Sequence, residues 1–406
     1  MAVGLNHPVD ILPVRGVELA AACAGMYKKT RLDSVLVSIT PGATSCGVFT
    51  RNNFCAAPIL VARNHLAETL PRYFFINAGN ANAGTGERGY RDAMSVCETL
   101  AGLTGISSTE VLPFSTGVIG EFLPVDKLCN VMPELLSGLK DSNWVACATA
   151  IMTTDTVPKA VSRTLEIAGN TVTVTGIAKG AGMIRPDMAT MLAFLATDAA
   201  VELDVLTQVL DYAMARSFNR ICVDGDTSTN DACLLTATGV VNMTPLADYG
   251  GEDTIKLRDA VTEVCALLAQ SIVRDGEGAT KFVTIHVQDG RDADECLAVG
   301  YAIATSPLVK TALFASDPNW GRILAAVGRA GLVDLDIAGV GITVNGVCIV
   351  ENGVRSESYT EGRGRAEFEK DEILLQVNLG RGTMEAVLWT CDLSYDYVKI
   401  NAEYRT

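Results

Sequence analysis

Residues 171–199 constrain the fold more than any other stretch of the chain. TVTVTGI at 171–177 alternates polar and apolar side chains, as a half-buried strand does. It runs into AKGAGMIRPDMA at 178–189, where the glycines and Pro186 mark a loop. From Thr190 the sequence TMLAFLATDA is nearly all apolar and reads as a strand buried in the core. Such a strand has its first residue at the rim of the sheet, where chemistry is often placed.

Similar signals recur on both sides. Strands are expected at 34–40, 73–78, 232–238, 281–287, 341–350, 372–379 and 385–392, where β-branched and aromatic residues cluster. Amphipathic helices are expected at 88–103, 125–139, 204–216, 254–273 and 292–304, with Asp204 as an N-cap. This mixture points to an α/β or α+β layered fold in which helices cover sheets. The 406 residues are enough for two domains or one large one.

The net charge of −15 disfavours nucleic acid and anionic membrane as partners, since both are bound chiefly through Lys and Arg. No apolar run approaches the ~20 residues of a membrane-spanning helix. The N-terminus lacks the basic start and apolar stretch of a secretory signal, so a cytoplasmic location is expected. None of the twelve cysteines stands in CxxC spacing, which fits small buried hydrophobes in a reducing compartment. His7, His65 and His286 are far apart in sequence, so neither a metal site nor a His-based triad is expected.

Thr190 is chemically interesting although an Ala-Thr pair alone is unspecific. A threonine hydroxyl needs a base, and no histidine lies nearby in sequence. Breaking the Ala189–Thr190 bond would expose an α-amino group with a pKa of about 7.7–8.0, well suited to that task. The Thr190 hydroxyl can make the cut itself by attacking the Ala189 carbonyl, with an ester as intermediate. A small residue before it and a glycine-rich loop leave room for that attack.

KGAGMIRPDMATMLAFLATDA at 179–199 resembles the self-cleavage signature of the bacterial glutamate N-acetyltransferase (ornithine acetyltransferase) family of arginine biosynthesis. The resemblance extends to GVFTRNNFCAAP at 47–58, INAGNANAGTG at 76–86, PFSTGVIGE at 113–121 and IMTTDTVPKA at 151–160. It continues through VDGDTSTND at 223–231, IVRDGEGATKF at 272–282, SPLVKTALFASDPNWGR at 306–322 and WTCDLSYDYVKINAEYRT at 389–406. Arg185-Pro186-Asp187 departs from the family, which often has a small or neutral residue and Asn there.

The resemblance implies a layered α-β-β-α sandwich of the N-terminal-nucleophile kind. It implies a cut between Ala189 and Thr190, giving an α fragment of residues 1–189 and a β fragment of residues 190–406, assembled as an α2β2 heterotetramer. Thr190 matches the nucleophile, and Thr116 with Gly117 matches the oxyanion-hole pair. Thr153 or Thr154, Lys179, Glu277, Asn401 and Thr406 match substrate contacts. Lys179 suits an amino-acid carboxylate and Glu277 the side-chain ammonium of ornithine. The implied reaction is ping-pong transfer of acetyl from N2-acetyl-L-ornithine to L-glutamate through acetyl-Thr190, without metal or organic cofactor. Some family members also accept acetyl-CoA.

Three other readings fit parts of the sequence. Gly84-Thr85-Gly86-Glu87-Arg88-Gly89 fits the G-x-G-x-x-G dinucleotide pattern between a strand and a helix, but the strand lies too far from the glycines for its tight turn. An N-terminal-nucleophile amidohydrolase or aminopeptidase would share Thr190 and the cut, yet pass the acyl group to water. A non-enzymatic acidic binding protein would show neither cut nor transfer.

Overall fold

The computed structural model describes residues 2–27, 30–185 and 191–403. Ala189, Thr190 and Thr406 lie outside the described residues.

Two sheets stack face to face. The first orders its strands as Val17–Ala22, Ser34–Ile39, Tyr73–Asn80 and Val111–Val118. The second orders them as Thr44–Phe49, Ala232–Ala237, Leu192–Thr197, Asn170–Lys179 and Lys159–Ile167. Their facing sides form one buried cluster. Phe74 and Phe114 from the first sheet meet Phe194 from the second, with ring centroids 6.0 and 5.1 Å away. Each buried aromatic ring contributes about 1.5–3 kcal/mol through lost water contact, and edge-to-face packing adds to that.

Helices cover both outer faces. Gly86–Thr104 and Val125–Ser137 pack on the first sheet, while Leu203–Met214 and Glu252–Arg274 pack on the second. The expected α-β-β-α sandwich is therefore present. The second sheet takes strands from both sides of residue 190, so residues 1–189 and 190–406 are not separate bodies but share one hydrogen-bonded ladder.

Beyond the sandwich lies a third sheet of seven strands, backed by helices Ala293–Ala304, Pro307–Phe314 and Trp320–Gly328 around its own core. No single helix among the described residues is long and apolar enough to cross a membrane; the bent pair Ala293–Ala304 and Pro307–Phe314 passes only jointly, and it packs against this sheet.

Several boundaries differ from the sequence expectations for local reasons. The expected strand 341–350 is a hairpin, Gly341–Val344 and Val347–Glu351, because Asn345 and Gly346 take positive φ and turn the chain. Asp204 is not an N-cap: the helix begins at Leu203 after Glu202, and Asp204 sits in its first turn. The buried strand begins at Leu192. Beyond the last expected strand, the chain ends in helix Tyr395–Glu403. All twelve cysteines are free. Burial pushes the thiols of Cys46, Cys222 and Cys265 up to about 12, so they stay protonated at neutral pH.

Candidate active site

Strands Asn170–Lys179 and Leu192–Thr197 pair antiparallel, with Lys179 opposite Leu192. The chain thus leaves the sheet after Lys179 and re-enters it at Leu192 at the same end of these two strands. A cleft with about 700 Å³ of non-protein space, partly open to solvent, lies there. The cleft gathers Thr116, Gly117, Thr153, Thr154, Lys179, Glu277 and Asn401, seven of the residues singled out in the sequence.

Thr116 and Gly117 come from the end of strand Val111–Val118, not from a turn before a strand. Gly117 has φ of +134°, and a Cβ there would stand 2.4 Å from the Gly79 carbonyl carbon and 2.5 Å from the Asn80 nitrogen. Only glycine fits so close an approach of these two paired parallel strands. Around it, Asn77 donates to the Asn80 carbonyl at 2.9 Å, and Ser115 donates to Asn77 at 2.7 Å. Asn230, itself buried, donates to the carbonyls of Ala81 at 2.6 Å and Ser115 at 3.0 Å. The Asn-Gly-rich segment 76–86 is thus spent on holding the strand end that carries Thr116, rather than on a dinucleotide cradle.

Lys179 is half-buried at the end of its strand, not on a solvated loop. Its Nζ donates to Thr116 Oγ1 at 3.1 Å. Loss of hydration lowers its pKa, Asp155 opposes that shift, Lys159 reinforces it, and Asp231 and Glu277 oppose it. The net direction is down.

Glu277 is half-buried, with its amide bonded to the Ala181 carbonyl at 2.8 Å. Its side chain lies over Gly182, where an added Cβ would stand 2.4 Å from the Glu277 carboxyl carbon. Asn401 Nδ2 donates to Glu277 Oε2 at 2.7 Å. Tyr397 of the same C-terminal helix donates to Asp224 at 3.3 Å. These two contacts fasten that helix to the cleft. Asp224 also accepts the amides of Met183 at 2.6 Å and Ile184 at 2.9 Å. Its burial raises its pKa, partly offset by the amides.

Several carboxylates at the cleft were not singled out in the sequence. Asp231 lines it and is buried, and burial pushes its carboxyl well above the usual range, although Ser228, Lys179 and the Met191 amide pull the other way. Asp155 sits behind Thr153 and Lys179, and Asp275 precedes Glu277. The signal was available: Asp231 ends VDGDTSTND, Asp155 lies within IMTTDTVPKA and Asp275 within IVRDGEGATKF. Among the described residues, no group of three His, Cys, Asp or Glu side chains is arranged to hold a metal ion.

The comparisons with known proteins agree in direction. The arginine biosynthesis bifunctional protein ArgJ of Pseudomonas fluorescens (strain Pf0-1) is 53% identical over 406 residues, covering 100% of both chains. That of Methylococcus capsulatus is 54% identical over 398 residues, covering 98% of this chain and 97% of its own length. The crystal structure of the arginine biosynthesis bifunctional protein ArgJ from Bacillus halodurans is 37% identical with a TM-score of 0.50, and covers 53% of this chain and 100% of the solved one. The ArgJ family model matches residues 18–406, and the chain belongs to the ArgJ family.

Proposed function

We propose that this chain cuts itself between Ala189 and Thr190 and then carries acetyl from N2-acetyl-L-ornithine to L-glutamate on the Thr190 hydroxyl. The observation that carries this reading is the convergence of Thr116, Gly117, Thr153, Thr154, Lys179, Glu277 and Asn401 on one cleft. Thr190 stands two residues before Leu192, the partner of Lys179 in the sheet. Residues 190–406 are about 53% of the chain, the share covered by the completely matched Bacillus halodurans structure.

In this mechanism the free α-amino group of Thr190 takes the hydroxyl proton, and Oγ1 attacks the acetyl carbonyl. The tetrahedral oxyanion is met by the Thr116 hydroxyl and the Gly117 N–H. Lys179 donates to a lone pair of Thr116 Oγ1, so the Thr116 proton is free to point at the oxyanion. One such donor is worth about 2.7–4 kcal/mol of barrier. Ornithine leaves as its N2 regains a proton, and the glutamate amine then attacks acetyl-Thr190 through the same oxyanion. Lys179 binds the α-carboxylate, Glu277 binds the distal ammonium of ornithine, and Thr153 or Thr154 and Thr406 complete the contacts.

The word bifunctional in the relatives' names supports a second activity, acetyl-CoA as donor to glutamate. The interleaved strands of the second sheet support fragments that stay together after the cut, within an α2β2 assembly. An arginine-biosynthetic role supports a cytoplasmic location.

Intact mass of the purified protein, alone and after exposure to N2-acetyl-L-ornithine, tests the reading. Two fragments are expected, with an acetyl adduct on the one beginning at Thr190. Thr190→Ala should give one uncut chain and no transfer; cutting retained in that variant would remove Thr190 from its role.

A further inference from the structure

Three charged side chains lie behind the cleft almost without solvent contact. Lys159 Nζ is 2.7 Å from Asp155 Oδ1 and 2.7 Å from Asp275 Oδ2, and the three side chains are 0%, 0% and 1% exposed. A buried ion group of this kind adds little net stability over apolar residues of the same volume, because desolvation offsets the attraction. Its geometry is more telling. Asp155 spends its remaining acceptor capacity on the amides of Gly180 at 2.7 Å and Thr153 at 3.1 Å. Asp275 spends its own on the amides of Thr156 at 2.9 Å and Val157 at 3.2 Å, and on the Thr156 hydroxyl.

The group reaches the cleft at three places. Gly180 follows Lys179, Thr153 lines the cleft, and Asp275 stands two residues before Glu277. Asp155, Lys159 and Lys179 belong to residues 1–189, whereas Asp275 and Glu277 belong to residues 190–406. The group therefore ties the cationic end of the cleft, Lys179, to its anionic end, Glu277, across the proposed cut. The three side chains carry one negative charge in excess, and Lys179, which feels Asp155, brings a second ammonium group to the two carboxylates.

We propose that Asp155, Lys159 and Asp275 are positioning residues that fix the separation of Lys179 and Glu277, and that this separation selects the chain length of the diamino acid whose N2-acetyl derivative donates the acetyl group. The inference rests on the reading that Lys179 takes the α-carboxylate and Glu277 the distal ammonium. A rigid pair of opposite charges measures the distance between those groups in the substrate, and one methylene more or less misplaces one of them. Discrimination of one methylene in enzyme pockets is typically about 10–200-fold.

The test compares kcat/KM for N2-acetyl-L-ornithine with that for N2-acetyl-L-lysine, one methylene longer, in the cleaved wild-type enzyme and in Asp275→Asn and Asp155→Asn. These variants keep the side-chain shape and leave Lys159 one carboxylate. The preference for the ornithine derivative should fall by about tenfold in each variant, through KM more than kcat. A merely structural role would lower both substrates together and leave the ratio unchanged; that result in a folded variant overturns the proposal. If either single variant is insoluble, the neutral triple replacement Asp155→Asn, Lys159→Met, Asp275→Asn removes all three charges at once, and the same ratio is read on it. A wild type that transfers acetyl from neither substrate refutes the function itself, whereas an active wild type with an unaltered ratio in the variants refutes only the positioning role.

Discussion

The Lys179 ammonium donates to the Thr116 hydroxyl at 3.1 Å, joining the end of one sheet to the end of the other. A threonine oxygen has two lone pairs and one proton, and this bond occupies a lone pair. The proton is left to serve as donor in the cleft, and Lys179 keeps further N–H groups for a carboxylate. One contact thereby couples the proposed oxyanion donor to the proposed substrate anchor.

Thr116→Val keeps the shape of the side chain and removes that donor. Transfer should slow by about 10²–10³-fold in kcat with KM little changed, as expected for a donor that acts only on the tetrahedral oxyanion. Steady-state kinetics on the cleaved protein read this directly. An equal rise in KM with unchanged kcat would instead make Thr116 a ground-state contact.

The pH profile has a defined sign. Lys179 must be an ammonium to hold a carboxylate, and its pKa is lowered from the ordinary value of about 10.4. Activity should therefore fall at a pH below the usual lysine range as the ammonium is lost. The charged groups facing it are Asp155, Lys159, Asp231 and Glu277. Asp155 and the other carboxylates favour the ammonium, so Asp155→Asn should move the alkaline limb of kcat/KM to still lower pH. A limb that moved upward would contradict the assignment. If the Thr190 amino group is the base of the proposed mechanism, the acid limb reports its loss of a proton.

Much of the fold was legible because it follows period and burial. The strand Asn170–Lys179 extends an unmistakable alternation, and Leu192–Thr197 a continuous apolar run. Thr116, Lys179 and Glu277 were legible only as members of motifs, since nothing local tells a half-buried Lys179 at a strand end from a solvated one. Gly117 is a glycine because Gly79 and Asn80 press against it from a strand nearly forty residues away in sequence, and no local pattern records that approach. The Asp155–Lys159–Asp275 group was invisible for the same reason: Asp275 joins the other two across more than a hundred residues. The seven-stranded sheet escaped notice because the expected strands covered only five of its seven, missing the two-residue strands Ile221–Cys222 and Val354–Arg355, and because sequence alone carries no strand order.

Asp231 separates stability from function. Burial raises its pKa, so the folded protein disfavours the carboxylate relative to the unfolded chain. For a raised carboxyl pKa, the folded state binds more protons between the ordinary value and the folded one. Stability contributed by Asp231 therefore falls as pH rises through that window, and the loss is complete above it. Asp231→Asn removes that penalty, and its Tm at pH 8 should exceed that of the wild type, with the gain shrinking as pH is lowered towards 4. Transfer should fall, because a carboxylate beside Lys179 in the cleft is lost. A lower Tm at pH 8 would show that the Asp231 carboxylate is compensated by its partners.

Gly182 offers a way to move Glu277 without touching its chemistry. An alanine Cβ at this position would stand 2.4–2.5 Å from the three carboxyl atoms of Glu277, far inside van der Waals contact. Those atoms are the end of a side chain with rotatable bonds, so it is the carboxylate that gives way. Gly182 is not among the glycines with positive φ, and alanine adds no backbone strain there. Gly182→Ala should therefore leave Tm nearly unchanged while displacing Glu277 from Asn401 Nδ2, its partner at 2.7 Å. KM for N2-acetyl-L-ornithine should rise by about tenfold, equivalent to about 1.4 kcal/mol of lost binding, within the range of a hydrogen bond to a charged group. L-glutamate has no distal ammonium, so its KM should rise less. Equal effects on both substrates would place Glu277 at the common α-amino end of the amino acid rather than at the ammonium of ornithine.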